Sequence, residues 1–218
     1  MDTDAAAVEE ARRRRERRFE VVATLILAAS ALLTAWSGYQ ASLWGGIQST
    51  DYSKASALRV QAAQQDSEAN QYRLAHLSAF NAYLQASAGG NQELAQFYAE
   101  RFPEPLKSAF DAWLELDPLT NAEAPITPLT MPQYALEQDA RAAELNAAAS
   151  ATFQAGEDAN SISDVYTLAT VLLATALFFS AISERFEFLP ARVGLLTTAG
   201  LALIGGLSVI LTQPVTSG

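Results

Sequence analysis

The sequence predicts an all-α protein in which three transmembrane helices carry an extracytoplasmic antiparallel helical bundle, continuous with the first two spans. Three observations lead to this fold class. Three stretches of 18 to 20 residues hold no ionisable side chain, charged residues are crowded between them, and the longest intervening segment repeats small and apolar residues at helical spacing. With 50% hydrophobic and 17% charged residues, the chain therefore combines a membrane part with a water-soluble part.

The first transmembrane helix is predicted at 19–38, after a basic tail at 1–18. Its charge-free core, VVATLILAASALLTAWSG, would rise roughly 27 Å, about the thickness of a hydrocarbon core. Trp36, Tyr39 and Trp44 stand at its end, and aromatic residues of this kind mark a membrane interface. A cleaved signal peptide is the alternative interpretation, although the apolar run is long for one.

Two further stretches pass the same length test. The second span is predicted at 164–183 and the third at 193–212, with a loop at 184–192 between them and a tail at 213–218. A chain of 218 residues has little interior in which to bury three such helices, so a soluble domain is disfavoured. On the third helix Ala202 and Gly206 are four residues apart, a small-xxx-small relation that favours close helix packing and makes a homo-oligomer an expected assembly.

The arginines predict the orientation, because cytoplasmic segments next to spans carry an excess of Lys and Arg. Eight arginines lie before the first span or in the second loop: Arg12, Arg13, Arg14, Arg15, Arg17, Arg18, Arg185 and Arg192. The N-terminus and the loop are therefore predicted to be cytoplasmic, and the C-terminus and residues 39–163 extracytoplasmic. Contact with anionic lipid also explains the cluster, so no nucleic-acid partner is expected.

The segment 39–163 is predicted to be helical nearly throughout. Its outgoing arm, 39–87, and its return arm, 133–163, both repeat small or apolar residues at steps of three and four. Seams of small residues let helices approach closely, so the arms are expected to pack as an antiparallel pair. Gln65 and His76 are the polar members of the outgoing seam.

Glycine and proline mark the chain between the arms. Gly89 and Gly90 suit a helix C-terminus, and Asn91 suits an N-cap. Short helices are predicted at 91–102 and 105–116, followed by a Pro-rich loop at 117–132. One apolar face of the short helices is predicted to be buried, namely Phe97, Phe102, Leu106, Phe110, Trp113 and Leu114.

Six segments along the chain form a recognisable series: ERRFE, AWSGYQASLWGG, YSKASALR, FYAERF, AFDAWLELDPLTN and LFFSAISERFE. In this order they resemble a family of uncharacterised bacterial membrane proteins, over nearly the whole chain. The resemblance implies three spans, an Ala-rich helical extracytoplasmic domain and location in a bacterial plasma (inner) membrane. It implies no activity, cofactor or site residue.

No catalytic, cofactor-binding or metal site is predicted from the sequence. The chain has no cysteine and a single histidine, His76, which excludes disulfides, thiol nucleophiles and the common zinc sites. A phosphate-binding glycine loop and a serine nucleophile elbow are also missing from the sequence. Glu157, Asp158 and Asp164 are a weak suggestion of a divalent-cation cluster, while solubility and repulsion from anionic lipid also explain the acidic segment.

The expected function is therefore noncatalytic. The helical ectodomain is expected to act as an interaction, scaffolding or sensing module, with the lipid bilayer and either further copies of the chain or an unknown membrane protein as partners. The charge-free cores of the three spans, 21–38, 165–183 and 193–212, lack Asp, Glu, Lys, Arg and His, which disfavours a coupled transporter. The alternative is a homo-oligomeric channel or pore-forming subunit, with a candidate lining of Thr167, Thr170 and Thr175.

Overall fold

A computed structural model of the chain consists of helices joined by turns. It describes residues 2–186 and 188–217, with side chains described for 9, 10, 13–186 and 188–217. Residues 1, 187 and 218, in the predicted tail, loop and external tail, lie outside the described part. Within it no strand occurs, so the all-α prediction is confirmed, and the helices are α1 (Asp2–Ala88), α2 (Gln92–Glu100), α3 (Leu106–Leu114), α4 (Glu137–Ser183) and α5 (Leu189–Leu211).

Three of these helices, α1, α4 and α5, are long and apolar enough to cross a membrane. Each of them contains one of the three stretches that the sequence predicts to be a span. The prediction of three candidate membrane spans is therefore confirmed by helix length and composition.

The helices differ most from the predicted bounds at the starts of α4 and α5, whereas the bounds of α2 and α3 differ by one or two residues. A 3-10 turn at Pro128–Thr130 and further turns occupy the end of the Pro-rich loop, and α4 begins at Glu137 rather than at 133. Helix α5 begins at Leu189, four residues before the predicted third span, with Pro190 in its first turn, where the missing proline N–H removes no intrahelical bond. The predicted span begins after Arg192 because that residue is charged, whereas α5 includes Arg192.

The predicted helix ends between α1 and α2 follow the glycine and asparagine signals. Gly90 adopts a positive φ of 78°, and the backbone N–H of Asn91 donates to Ala86 at 3.0 Å, which closes the end of α1. The Asn91 side chain accepts a hydrogen bond from the Leu94 N–H at 3.1 Å and so caps α2.

The chain divides into two compact units. The span unit comprises Met1–Tyr52 and Phe153–Gly218, and the insert unit comprises Ser53–Thr152. Most buried residues of the span unit are small or hydroxylated: Ala23, Ser30, Ser37, Gly156, Ala159, Ala169, Ala176, Ser180, Ser183, Ala199 and Gly206. Tyr166 and Leu173 are the largest fully buried hydrophobic side chains in this interior.

Aromatic rings form the core of the insert unit. Phe110 lies at its centre, with ring centroids 4.8 Å from Tyr83 and 5.0 Å from Phe102. Trp113 packs edge-on against Phe80 at 5.2 Å, and its indole N–H donates to the Pro125 carbonyl at 2.6 Å, which ties the Pro-rich loop to this core.

The predicted buried face of the short helices is only partly correct. Phe102, Leu106, Phe110 and Trp113 are buried, but 48% of Phe97 and 42% of Leu114 is exposed. Helix α2 turns Ala95 inward, and the Phe97 ring lies outside beneath the Arg101 guanidinium, 4.0 Å from its carbon.

Candidate functional site

A groove opens on the insert unit between three segments that are distant in sequence. Its volume is about 590 Å³, within the range of about 300–1,000 Å³ that is usual for small-molecule sites. It is lined by one face of α1, by the turn between α2 and α3, and by the start of α4: Tyr72, Ala75, His76, Ala79, Pro103, Glu104, Pro105, Ala135, Leu136, Glu137 and Gln138.

Local sequence explains how each wall is formed. Tyr72, His76 and Ala79 are four and three residues apart, so they share one face of α1. Pro103 and Pro105 keep the second wall out of the helical conformation, because proline lacks the N–H and restricts the preceding residue. The third wall is the first turn of α4, where acidic residues interact favourably with the helix dipole.

His76 is the buried polar residue of this groove. Only 4% of its surface is exposed, and its Nδ1 lies 2.8 Å from the Tyr134 hydroxyl. The Tyr134 ring meets the imidazole edge-on at 5.7 Å, and Tyr72 lies on another side at 6.1 Å. Burial lowers the pKa of His76 below its ordinary value of 6.5 and raises that of Tyr134, so near neutral pH a neutral imidazole faces a protonated phenol.

The charged side chains in the lining of the groove, as far as the structure describes it, are both carboxylates. They belong to Glu104 and Glu137. Glu104 Oε2 accepts hydrogen bonds from the Ser108 hydroxyl at 2.7 Å and the Ser108 N–H at 3.3 Å, which fixes it at the start of α3. The groove therefore has apolar walls and a negative rim.

An ion pair lies beside the groove. The Arg73 guanidinium on α1 donates to Asp139 Oδ2 on α4 at 2.5 Å, with about 40% of each side chain exposed. Exposed ion pairs contribute only about 0–1 kcal/mol to stability, so this one adds little to the packing of α1 against α4.

The predicted lipid-facing arginines divide into groups in the structure. Arg13 and Arg14 pair with Glu9 and Glu10 one turn earlier on α1, at 3.5 Å and 2.6 Å. Arg15 and Arg18 line a crevice of the span unit, and Arg192 lies near it on α5. Arg17 and Arg185 are exposed, and the side chain of Arg12 lies outside the described part.

The predicted interface aromatics have different surroundings. Trp36 and Tyr39 are exposed, with ring centroids 6.1 Å apart. Trp44 packs against the cluster around Tyr166 and Leu173, and its indole N–H has no hydrogen-bond partner among the described residues. Their level in the bilayer stays a prediction.

Gly206 brings α5 close to α4 within one chain. A Cβ added at Gly206 would lie 2.8 Å from Leu173 Cγ and 2.9 Å from its Cδ2, both closer than van der Waals contact allows. Ala202, one turn earlier, is partly buried. The predicted packing surface is therefore used inside the molecule at Gly206, and a homo-oligomer formed through it stays a prediction.

Sequence reasoning missed a set of hydroxyl hydrogen bonds in the span unit. Ser180 Oγ donates to the Ala23 carbonyl at 2.7 Å, and Ser37 Oγ donates to the Tyr166 carbonyl at 2.7 Å. In these pairs the residue number on α4 falls as the residue number on α1 rises, so the two helices run in opposite directions in this unit. The available signal was the spacing of Ala23, Ser30 and Ser37, which are seven residues apart.

The C-terminal tail is also held by polar contacts. The Gln40 side-chain amide donates to the Thr216 carbonyl at 2.9 Å and accepts from the Thr216 N–H at 3.1 Å. The Tyr166 hydroxyl donates to the Pro214 carbonyl at 3.1 Å. These contacts tie 214–216 to α1 and α4, a role that the sequence did not indicate.

The threonines of the candidate pore bond to their own helix. The hydroxyls of Thr167, Thr170 and Thr175 each donate to the carbonyl four residues earlier, at 3.0, 2.9 and 2.8 Å. The single hydroxyl hydrogen of each is therefore used locally. The channel stays a prediction.

The three acidic residues of the suggested cation cluster have separate partners. Glu157 accepts a hydrogen bond from the Tyr52 hydroxyl at 2.6 Å, which raises the pKa of that phenol. Asp158 and Asp164 each accept from an amide side chain four residues earlier. Over the part of the chain that is described, no group of three His, Cys, Asp or Glu side chains is placed to hold a metal ion.

Comparison of the chain with protein-family models, curated proteins and solved structures found no match. The family resemblance and the bacterial membrane that it implies stay predictions.

Proposed function

We propose that this chain is a noncatalytic membrane protein whose insert unit is an extracytoplasmic sensing or interaction module. The observation that carries the proposal is the groove beside His76. Its walls come from α1, from 103–105 and from 135–138. A ligand that contacts all three walls binds some relative positions of these walls more tightly than others, and it therefore shifts the population toward them. Such a shift is the physical requirement for sensing.

The chemistry of the groove points to a class of ligand. Apolar walls favour an apolar body, and the carboxylates of Glu104 and Glu137 favour a positive charge. Tyr72 is 42% exposed and offers a ring face to a cation. We therefore propose a small organic cation with an apolar body as the ligand.

Binding is tested with the full chain in lipid nanodiscs. The probes are a panel of aliphatic and aromatic amines, each compared with the uncharged alcohol of the same skeleton, and the readout is calorimetric affinity. At least one amine is expected to bind more tightly than its alcohol, because the rim is negative. If no amine in the panel binds, or if alcohols bind equally well, the proposed ligand site is wrong.

A matched pair of variants locates the binding. Glu104→Gln with Glu137→Gln removes both groove carboxylates, and Glu93→Gln with Glu115→Gln removes two exposed carboxylates of the same unit that do not line the groove. The groove pair is expected to weaken amine binding about tenfold or more, and the control pair by less than about twofold, since loss of a charged hydrogen-bond partner costs about 1.5–3 kcal/mol. Equal losses in both pairs contradict the assignment.

The proposed topology is supported by the arginines before the first span and in the loop before α5. Because the chain has no cysteine, Ala88→Cys and Glu184→Cys each create a unique thiol. A membrane-impermeant maleimide is expected to label Ala88→Cys in intact cells, and Glu184→Cys only after permeabilisation. The reverse pattern would place the insert unit in the cytoplasm.

A further inference from the structure

A second cavity lies in the span unit, between the first residues of the predicted span on α1 and the first turns of α5. This crevice has a volume of about 420 Å³ and is lined by Arg15, Arg18, Phe19, Val22, Val193, Leu196 and Thr197. Along α1 the arginines precede Phe19 and Val22, and along α5 the apolar lining follows Arg192. One end of the crevice is therefore cationic and the other, toward the middle of the spans, is apolar.

Arg192 lies next to the crevice, near its cationic end. Its guanidinium carbon lies 5.8 Å from the centroid of the Phe19 ring, and Phe19 lines the crevice. The Arg192 Nε is buried and has no hydrogen-bond partner among the described residues. The positive charge of this guanidinium group therefore adds to the attraction that Arg15 and Arg18 exert on an anion in the crevice.

The start of α5 favours an anion for a second reason. Helix α5 begins at Leu189, and no described side chain forms a capping hydrogen bond at that end. The first N–H groups of a helix and its dipole attract phosphate. Arg13 and Arg14, in contrast, already pair with Glu9 and Glu10, so they offer less to an external anion.

We propose that the crevice binds one anionic phospholipid, with the headgroup phosphate at Arg15, Arg18 and Arg192. One acyl chain then lies along Val22, Val193 and Leu196. The apolar walls identify a lipid rather than a free phosphate, because they belong to helices that are apolar enough to span a membrane. The inference depends on membrane insertion and is independent of the groove in the insert unit.

The test uses native mass spectrometry of the full chain extracted in detergent, with phosphatidylglycerol or phosphatidylcholine of identical acyl chains added. One phosphatidylglycerol is expected to remain bound at concentrations where phosphatidylcholine does not. Inorganic phosphate and glycerol phosphate are expected to compete only weakly, since they lack the acyl chain. Equal retention of the two lipids, or equally tight binding of free phosphate, would overturn the proposal.

Two double variants that each remove two arginines separate a defined site from general charge attraction. Arg15→Gln with Arg18→Gln, the two arginines that line the crevice, is expected to weaken phosphatidylglycerol binding about 25-fold, about fivefold for each arginine, which corresponds to about 1 kcal/mol each. Arg13→Gln with Arg17→Gln, whose side chains do not line the crevice, is expected to change it by less than twofold. Equal losses in the two variants mean diffuse attraction and no site.

A single variant guards against misfolding. Arg15→Gln leaves the Arg192–Phe19 contact in place and is expected to weaken phosphatidylglycerol binding about fivefold. Its size-exclusion profile and circular dichroism should match those of the unaltered chain. Unchanged binding in a correctly folded Arg15→Gln protein would also contradict the site.

Discussion

The two units of this protein bury different kinds of side chain. The span unit buries small and hydroxylated side chains and exposes large ones, including Leu32 and Leu211, each about three-quarters exposed. The insert unit buries its rings, with Phe80, Phe110 and Trp113 almost fully covered. Within one polypeptide, therefore, one unit has an interior of mainly small side chains and the other has a core of large aromatic rings.

The difference follows from the solvent that each unit is expected to meet. In water, burial of large apolar surface drives folding, at about 25 cal/mol per Å². In lipid that driving force is absent, and helices associate through close packing of small residues and through interhelical hydrogen bonds. The span unit has both kinds of interaction. Its helices are joined by the Ser180–Ala23 and Ser37–Tyr166 hydrogen bonds, and they pack closely at Gly206.

Among the substitutions that test this comparison, the largest loss of stability is expected at the centre of the aromatic core. Phe110→Ala removes a ring that is 1% exposed and contacts Tyr83 and Phe102, so unfolding of the insert unit should become easier by about 3–5 kcal/mol. Phe97→Ala, at an exposed ring, should cost less than about 1 kcal/mol. Hydrogen exchange of peptides from 80–113 measures both, and similar losses in the two variants would show that the rings do not form a core.

The next effect tests close packing in the span unit. Gly206→Ala places a methyl group 2.8 Å from Leu173 Cγ and is expected to destabilise the α4–α5 contact by about 1–3 kcal/mol. Gly200→Ala, where an added Cβ meets no described atom within 4 Å, should be neutral or slightly stabilising. Detergent unfolding curves compare them, and a harmless Gly206→Ala would mean that α5 does not sit this close to α4.

Local signals explain what the sequence predicted well. Charge-free stretches of sufficient length identified the three apolar helices, because each apolar residue in a span contributes independently of the tertiary fold. Asn91 was recognised as a cap because capping depends on a few neighbouring residues. Helix α5 begins at Leu189, before the charge-free stretch that starts at 193, because a helix can extend beyond its apolar part and arginine is tolerated near a helix end.

The groove was not predicted, because its three walls are distant in sequence. Tyr72, Pro103 and Leu136 come together only when the insert unit folds. His76 was recognised as a polar seam residue, but nothing in the spacing identified Tyr134 as its partner. The serine bonds were missed for a related reason, since a backbone carbonyl that accepts a hydrogen bond leaves no trace in the sequence.

A smaller loss of stability is expected when an interhelical hydrogen bond of the span unit is removed. Ser180→Ala removes the interhelical bond to the Ala23 carbonyl and should cost about 0.6 kcal/mol, the usual value for such bonds in membranes. Ser30→Ala is the control, because the Ser30 hydroxyl is fully buried but has no partner in the described part of the chain, so its removal should be neutral or stabilising. Equal costs in detergent unfolding would assign both serines to packing alone.

The smallest effect is a pH dependence confined to the insert unit. Burial lowers the pKa of His76 in the folded state below the ordinary 6.5, so the unfolded chain binds a proton more readily. Stability from this residue is then complete above pH 6.5 and is lost as the pH falls through the folded pKa. Hydrogen exchange of peptides from 72–80 should accelerate between pH 7.5 and 5.0, after correction for intrinsic exchange.

His76→Asn removes the titrating group and should reduce that acceleration, even if the variant is less stable at pH 7.5 because its contact with Tyr134 is altered. Peptides from the membrane-spanning parts of α4 and α5 serve as the internal reference, because no histidine lies in the span unit. If the acceleration persists unchanged in His76→Asn, the buried imidazole does not control the acid response of the insert unit.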